Sequence, residues 1–142
     1  MKTLTTLLFL ISFSIANAQI WQNDIATAKK TAQEQNRKII LVFQGSDWCA
    51  PCIKLEKEIW SSEEFKTYSN QHFVLLKADF PKKKANKLSK EQQDKNDLLA
   101  EKYNQNGYFP LVVVLDKTGK VLGTTGYKNI TPTEYIKLLS SF

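Results

Sequence analysis

Cysteine and histidine are scarce: the 142-residue chain holds two cysteines and one histidine. Two cysteines cannot build the multi-bridge framework of a small secreted scaffold. With a single histidine they cannot supply a four-ligand zinc site within one chain. Glycine (5) and proline (4) are also few, which excludes collagen-like and linker-like chains. No apolar run reaches the ~18–20 residues of a mature membrane span. The formal net charge of +6 permits anionic partners and requires none. What is present is ordinary: 42% hydrophobic and 24% charged residues, the usage of one globular domain rather than a disordered chain.

The N-terminus reads as a targeting segment. Lys2 supplies a positive start, residues 4–15 are mostly apolar around Leu7-Leu8-Phe9-Leu10-Ile11, and Ala16-Asn17-Ala18 has the small-x-small form of a cleavage site. Residues 1–18 are therefore expected to be a signal peptide, and residues 19–142 the mature domain. No cysteine follows the cleavage site, so no lipid anchor is expected there. An uncleaved, buried N-terminal helix is the plainer alternative. Export implies an oxidising compartment, either the periplasm or the exterior.

Along the mature chain, Asp24 is placed to cap a helix over 24–36, with Ile25, Ala28 and Ala32 on one face. KIILVFQ (38–44) is a short apolar run read as a buried strand. A helix follows over 49–60, then a helical turn or two over 62–69. FVLLKA (73–78) and LVVVL (111–115) are further strands, and a helix capped by Ser89 and Gln92 runs to Tyr103. Asp116-Lys117-Thr118-Gly119 turns the chain into a fourth strand over 120–125. Thr131-Pro132-Thr133-Glu134 opens a last helix. The order α-β-α-β-α-β-β-α predicts an α/β fold. Its mixed four-stranded sheet has helices on both faces and an extra helix at the N-terminus. Residues 81–90 look least ordered.

One constellation carries chemistry: Trp48-Cys49-Ala50-Pro51-Cys52, directly after a strand and opening a helix. Both cysteines of the chain lie in it. Their spacing brings two sulfurs together across one helical turn. Free N–H groups and the helix dipole favour a thiolate on the first. That thiolate can attack a disulfide, and the second cysteine can resolve the mixed disulfide. Cys49 is the expected exposed nucleophile and Cys52 the more buried resolving residue. A structural disulfide and half of a zinc site shared between two chains remain open readings of the same pair.

The sequence resembles the thioredoxin superfamily over 38–142, through the strand 39–44, the WCAPC motif and Phe109-Pro110 before LVVVL. The Gly-Ser-Asp-Trp-Cys approach (45–49) and the long segment before Tyr108 are similar to its exported, DsbH-like branch of disulfide reductases and isomerase-like proteins. The resemblance implies a thiol:disulfide oxidoreductase that reduces or isomerises protein disulfides with no bound cofactor, the Cys49–Cys52 pair storing the electrons. It gives Pro110 a cis peptide bond facing the disulfide, Phe109 a backbone that pairs with substrate, and Trp48 a place beside the active sulfur. Disulfide-bearing exported proteins are the implied partners, with a membrane electron donor of the DsbD or CcdA type and a monomeric state. A non-catalytic peptide-binding or chaperone-like module on the same fold is the alternative.

Two details bear on the chemistry. Thioredoxin has a buried aspartate six residues before its first motif cysteine; here that position is Phe43. Lys77 matches a family lysine near that carboxylate, though a strand-end lysine reaching solvent is the plainer reading. Ala50-Pro51 places no charge between the cysteines, which leans the pair toward reduction. The remaining signals are read as structural. Asp47 and Glu56 are expected at the surface, Trp21 and Trp60 in packing, and His72 away from the chemistry. Lys82-Lys83-Lys84, Lys87 and Lys90 form a solvated basic loop, or a surface for an acidic partner. No metal and no nucleic acid are expected.

Overall fold

A computed structural model describes residues 18–142, so the signal-peptide reading lies almost wholly outside the described residues. The strands are β1 (Trp21–Gln22), β2 (Lys38–Gln44), β3 (Phe73–Asp79), β4 (Leu111–Leu115) and β5 (Val121–Thr125). The helices are α1 (Ile25–Gln35), α2 (Ala50–Leu55), α3 (Glu63–His72), α4 (Lys90–Tyr103) and α5 (Pro132–Ser141). α2 runs on through one π-helical stretch, Glu56–Trp60.

The sheet order is β1-β3-β2-β4-β5. β1, β3 and β2 are parallel, while β4 and β5 are antiparallel additions. The four expected strands are present, and β1 makes a fifth. It has two residues, too few to show alternation in the sequence. α3 also runs three residues beyond the expected Ser69.

Local signals set most boundaries. Asp24, Ser62 and Ser89 cap α1, α3 and α4 by accepting from the backbone N–H three residues on. Thr131 and Glu134 form a reciprocal capping box on α5, behind Pro132. At α4 only half of the expected box forms, because the Gln92 amide donates instead to Asn23 O and Asn96 Oδ1, both at 2.9 Å. The β4–β5 turn is held by Asp116 Oδ1, which accepts from Thr118 and Lys120, and by Gly119 at φ 93°.

Alternation along the central strand divides the core into two layers. Ile40 and Val42 pack with Leu55, Ile59, Trp60, Phe65, Tyr135 and Leu139, under α2, α3 and α5. Ile39, Leu41 and Phe43 pack with Ala28, Ala32 and Leu99, under α1 and α4. β2 lies between β3 and β4, so whatever follows its C-terminal end is anchored at the middle of the sheet.

Candidate functional site

That end carries the cysteines. After Gln44 the chain turns so that Trp48 N–H and Cys49 N–H both donate to Gly45 O, at 3.3 and 2.9 Å. A side chain at Gly45 would collide with the indole of Trp48, so the turn requires glycine for space. Cys49 is the N-cap of α2, and its Sγ accepts from Cys52 N–H at 3.3 Å. Pro51, in the first turn, lacks an N–H that would have had no helical partner. Cys49 and Cys52 are joined in a disulfide, with Cα atoms 5.2 Å apart.

The expected contrast in exposure is not seen. Cys49 is 4% exposed and Cys52 3%, because the bond ties both sulfurs into one covered turn. What separates them is their surroundings. Cys49 takes the capping bond and follows Trp48. Cys52 faces a cleft of about 350 Å³ shared with Gln44, Ser46, Ile53 and Glu56.

Trp48 joins the motif to two other segments. Its Nε1 donates to Phe80 O at 2.7 Å, and its ring meets Phe109 edge-on at 5.4 Å. Phe109 also meets Phe80 edge-on, at 5.5 Å. The Phe109–Pro110 peptide bond is cis, the state the resemblance implies. Buried Asn104 shapes the approach to it: its Nδ2 donates to Tyr108 O and its Oδ1 accepts from Tyr108 N–H, both at 2.9 Å. Around the disulfide, Trp48, Ile53 and Tyr108 present exposed apolar surface.

A family model described as thioredoxin-like matches residues 20–117. The chain belongs to the thioredoxin-like family. The disulfide bond reductase DsbH of Chlamydia pneumoniae is 35% identical over 127 residues, which cover 89% of this chain and 75% of that protein. The solved structure of a DsbH oxidoreductase aligns with a TM-score of 0.80 at 30% identity, covering 99% of this chain and 93% of that one. The disulphide isomerase from Xylella fastidiosa Temecula1 shares the fold, with a TM-score of 0.61 at 20% identity over 82% of this chain and 86% of that one.

Within this thioredoxin-like domain, the structure corrects the solvent reading of Lys77 and adds to what the sequence says of Phe43 and Asp47. Phe43, six residues before Cys49, is fully buried in the α1/α4 layer, on the opposite face of the sheet from α2. The strand residue that shares the cleft with Cys52 is its neighbour, Gln44. Counting back from a cysteine finds a position but not the face it points to. Lys77 does not run free into solvent: its Nζ lies 3.2 Å from Glu56 Oε2 and 4.4 Å from the Trp21 ring centre. Side-chain exposures of 24% and 43% make this pair worth at most about 1 kcal/mol in stability, so it matters more for where it stands. Asp47 lies at the surface, as expected, and also holds a neighbouring loop. Its carboxylate accepts from Lys82 N–H, Lys83 N–H and Asn86 Nδ2 at 2.9–3.0 Å. These bonds, the Lys82 N–H bond first, hold its pKa below the ordinary value.

The structural readings of His72, Trp21 and Trp60 agree with their places. His72 is exposed and stacks on Tyr68 at 4.1 Å, Trp60 is fully buried, and Trp21 packs on Trp60 at 5.6 Å. Ala50 and Pro51 are exposed and bring no charge to the disulfide. Among the described residues, no cluster of three or more histidine, cysteine or acidic side chains is arranged to hold a metal, and no helix is long and apolar enough to cross a membrane.

Proposed function

We propose that this protein is an exported thiol:disulfide oxidoreductase working in the reducing direction on disulfides of other exported proteins. The observation that carries the reading is Cys49 at the N-cap of α2, its sulfur accepting a backbone N–H and bonded to Cys52. The groups that stabilise that sulfur as an acceptor also favour its thiolate once the disulfide is reduced. The uncharged Ala50-Pro51 pair and the disulfide bond reductase among the relatives support reduction.

In this mechanism the Cys49 thiolate attacks one sulfur of the substrate disulfide, and the other substrate sulfur leaves as a thiolate. Cys52 loses its proton and attacks Cys49, releasing the second substrate sulfur. The substrate gains two electrons and the protein is left as the Cys49–Cys52 disulfide. We assign the proton from Cys52 to Glu56, the carboxylate that shares its cleft and is oriented by Lys77. Trp48, Phe109 and Pro110 position an extended substrate segment beside the sulfurs. A membrane electron donor of the DsbD or CcdA type restores the dithiol. The Ala16-Asn17-Ala18 site supports export.

Cells expressing the Cys52→Ala variant test this reading. Mixed disulfides through Cys49 to exported proteins are expected, and Cys49→Ser removes them. A variant that traps nothing, with a wild-type protein that fails to reduce a model protein disulfide, would leave the non-catalytic peptide-binding reading in its place.

A further inference from the structure

The segment after β3 is a basic loop with a fixed place. Residues 80–90 hold Lys82, Lys83, Lys84, Lys87 and Lys90 and no acidic residue. Such a run is ordinarily a solvated, mobile stretch. Here it is fastened to the approach to the disulfide from both ends. Asp47, two residues before Cys49, accepts three hydrogen bonds from Lys82, Lys83 and Asn86. Asp79 accepts from Ser46 N–H at 2.9 Å and Ser46 Oγ at 2.6 Å. Trp48 Nε1 donates to Phe80 O, and Asn96 Nδ2 donates to Asp79 O at 2.8 Å.

The geometry also leaves the lysine charges available. The Asp47 and Asp79 carboxylates accept from backbone N–H, amide and hydroxyl groups, not from ammonium groups. The Lys83 backbone N–H donates to Asp47, but its ammonium group acts on that carboxylate only through space. Lys84 and Lys87 form no ion pair among the described residues, and all four lysines of 82–87 are exposed. Lys90 is the exception, paired with Asp94 at 2.7 Å. Lys82 Nζ lies 3.9 Å from the Trp48 ring centre, which brings a positive charge to the residue beside Cys49.

We infer that the 82–87 loop is a docking shelf for an acidic segment of the substrate protein, so that the enzyme prefers disulfides flanked by aspartate or glutamate. This rests on the proposed oxidoreductase activity and adds the chemistry of its substrates. An anion at the shelf lies within one Debye length, about 8–10 Å, of several unpaired lysines. Complementary charge at that range acts chiefly on the rate of encounter, and the effect falls with salt.

The test uses the reduced protein and three disulfide-linked peptides with acidic, neutral and basic flanks, at low and high salt. At low salt the second-order rate constant for single-turnover reduction of the acidic peptide is expected to exceed that for the basic one by about tenfold or more, and the gap to shrink at high salt. A Lys83→Gln/Lys84→Gln/Lys87→Gln variant should lose most of the gap and still reduce the small, neutral hydroxyethyl disulfide at the wild-type rate. A second measurement does not depend on turnover. Binding of a labelled acidic peptide with serine in place of cysteine, read by fluorescence polarisation, should weaken in the triple variant. Equal rates for all flanks, or a preference that survives the triple variant, would overturn the inference. So would tight binding to anionic lipid vesicles without any peptide preference. Loss of hydroxyethyl disulfide turnover in the wild type would instead overturn the oxidoreductase reading, and peptide binding would then decide the shelf alone.

Discussion

The two flanks of the disulfide are built differently. On the Trp48 flank, polar groups are paired: Asp47 and the indole N–H bond across to residues 80–86, Ser46 donates to the Asp79 carboxylate, Asn96 donates to Asp79 O, and three aromatic rings pack edge-on beside them. On the Cys52 flank there is a cleft, with Gln44 at its base and Glu56 paired to Lys77 at its edge. The first arrangement fixes a surface, as recognition requires. The second leaves room and a carboxylate in the cleft that Cys52 lines, as the proposed proton transfer from Cys52 would require. Five substitutions and one change of pH sharpen or break this division.

The largest effect is expected at Phe43. Replacing it with aspartate removes a fully buried ring and leaves a carboxylate in the α1/α4 layer, with no cation there to pair with it. A loss of at least about 3–5 kcal/mol follows from the cavity alone, with the unpaired acid adding to it. Urea unfolding measures it. Gln44→Glu puts a carboxylate one residue on, into the Cys52 cleft, and should cost on the order of 1–2 kcal/mol while changing the pH dependence of turnover. If Phe43→Asp were the variant that altered the pH profile, the facing assigned to β2 would be wrong.

Gly45→Ala attacks the Trp48 flank. The new methyl group meets the indole, which must swing away and give up its bond to Phe80 O and its contact with Lys82. Overpacking of this kind costs about 1–3 kcal/mol. The indole N–H resonance of Trp48 should move, and reduction of a peptide disulfide should fall more than reduction of a small one. An unmoved resonance would mean that the turn yields elsewhere.

These positions show what the sequence could and could not disclose. The cysteine pair was legible because it is the chain's only one and its spacing matches a helical turn after an apolar strand. Pro110 was legible only through the family resemblance. The facing of Phe43 was not, because Ile39 to Phe43 is apolar at every position and shows no alternation to reveal its faces. Asp47 was expected at the surface, but its partners were not legible for another reason. Its backbone partners are 35 and 36 residues away, and a backbone N–H has no residue type to recognise. Gly45 alone carried a signal, as a glycine at the end of a strand and three residues before a tryptophan.

Glu56→Gln sharpens the Cys52 flank. With the carboxylate gone, Cys52 has to lose its proton to solvent, and decay of the mixed disulfide should slow by about tenfold near neutral pH. Single-turnover fluorescence separates this step from the initial attack by Cys49, which should keep its rate. Raising the pH should restore the variant, because the thiol then ionises unaided. Slowing that persists at all pH values would point to a packing role for Glu56 and not to proton transfer.

The smallest effect comes from acidifying the Trp48 flank. Asp47 titrates below its ordinary value of 3.8, held down first by Lys82 N–H, then by Asn86 and Lys83. A depressed carboxylate lends the folded state stability that is complete above the unfolded value and is lost as pH falls through the folded one. The loop contacts should therefore be unchanged from neutral pH down to about 4 and weaken below it. The Lys82 and Lys83 amide resonances should shift together in that acid range. In Asp47→Asn, which keeps one acceptor oxygen and no charge, that transition should vanish, and the two amides should already sit near their acid positions at pH 7. Asp116 supplies an internal control, since its pKa is also lowered, chiefly by Thr118, but it faces Thr118 and Lys120 on the β4–β5 turn. If the 82–83 amides still titrated with the Asp116 reporters in Asp47→Asn, the loop would be answering to a global change and not to Asp47. The clamp on the Trp48 flank would then lose its local cause.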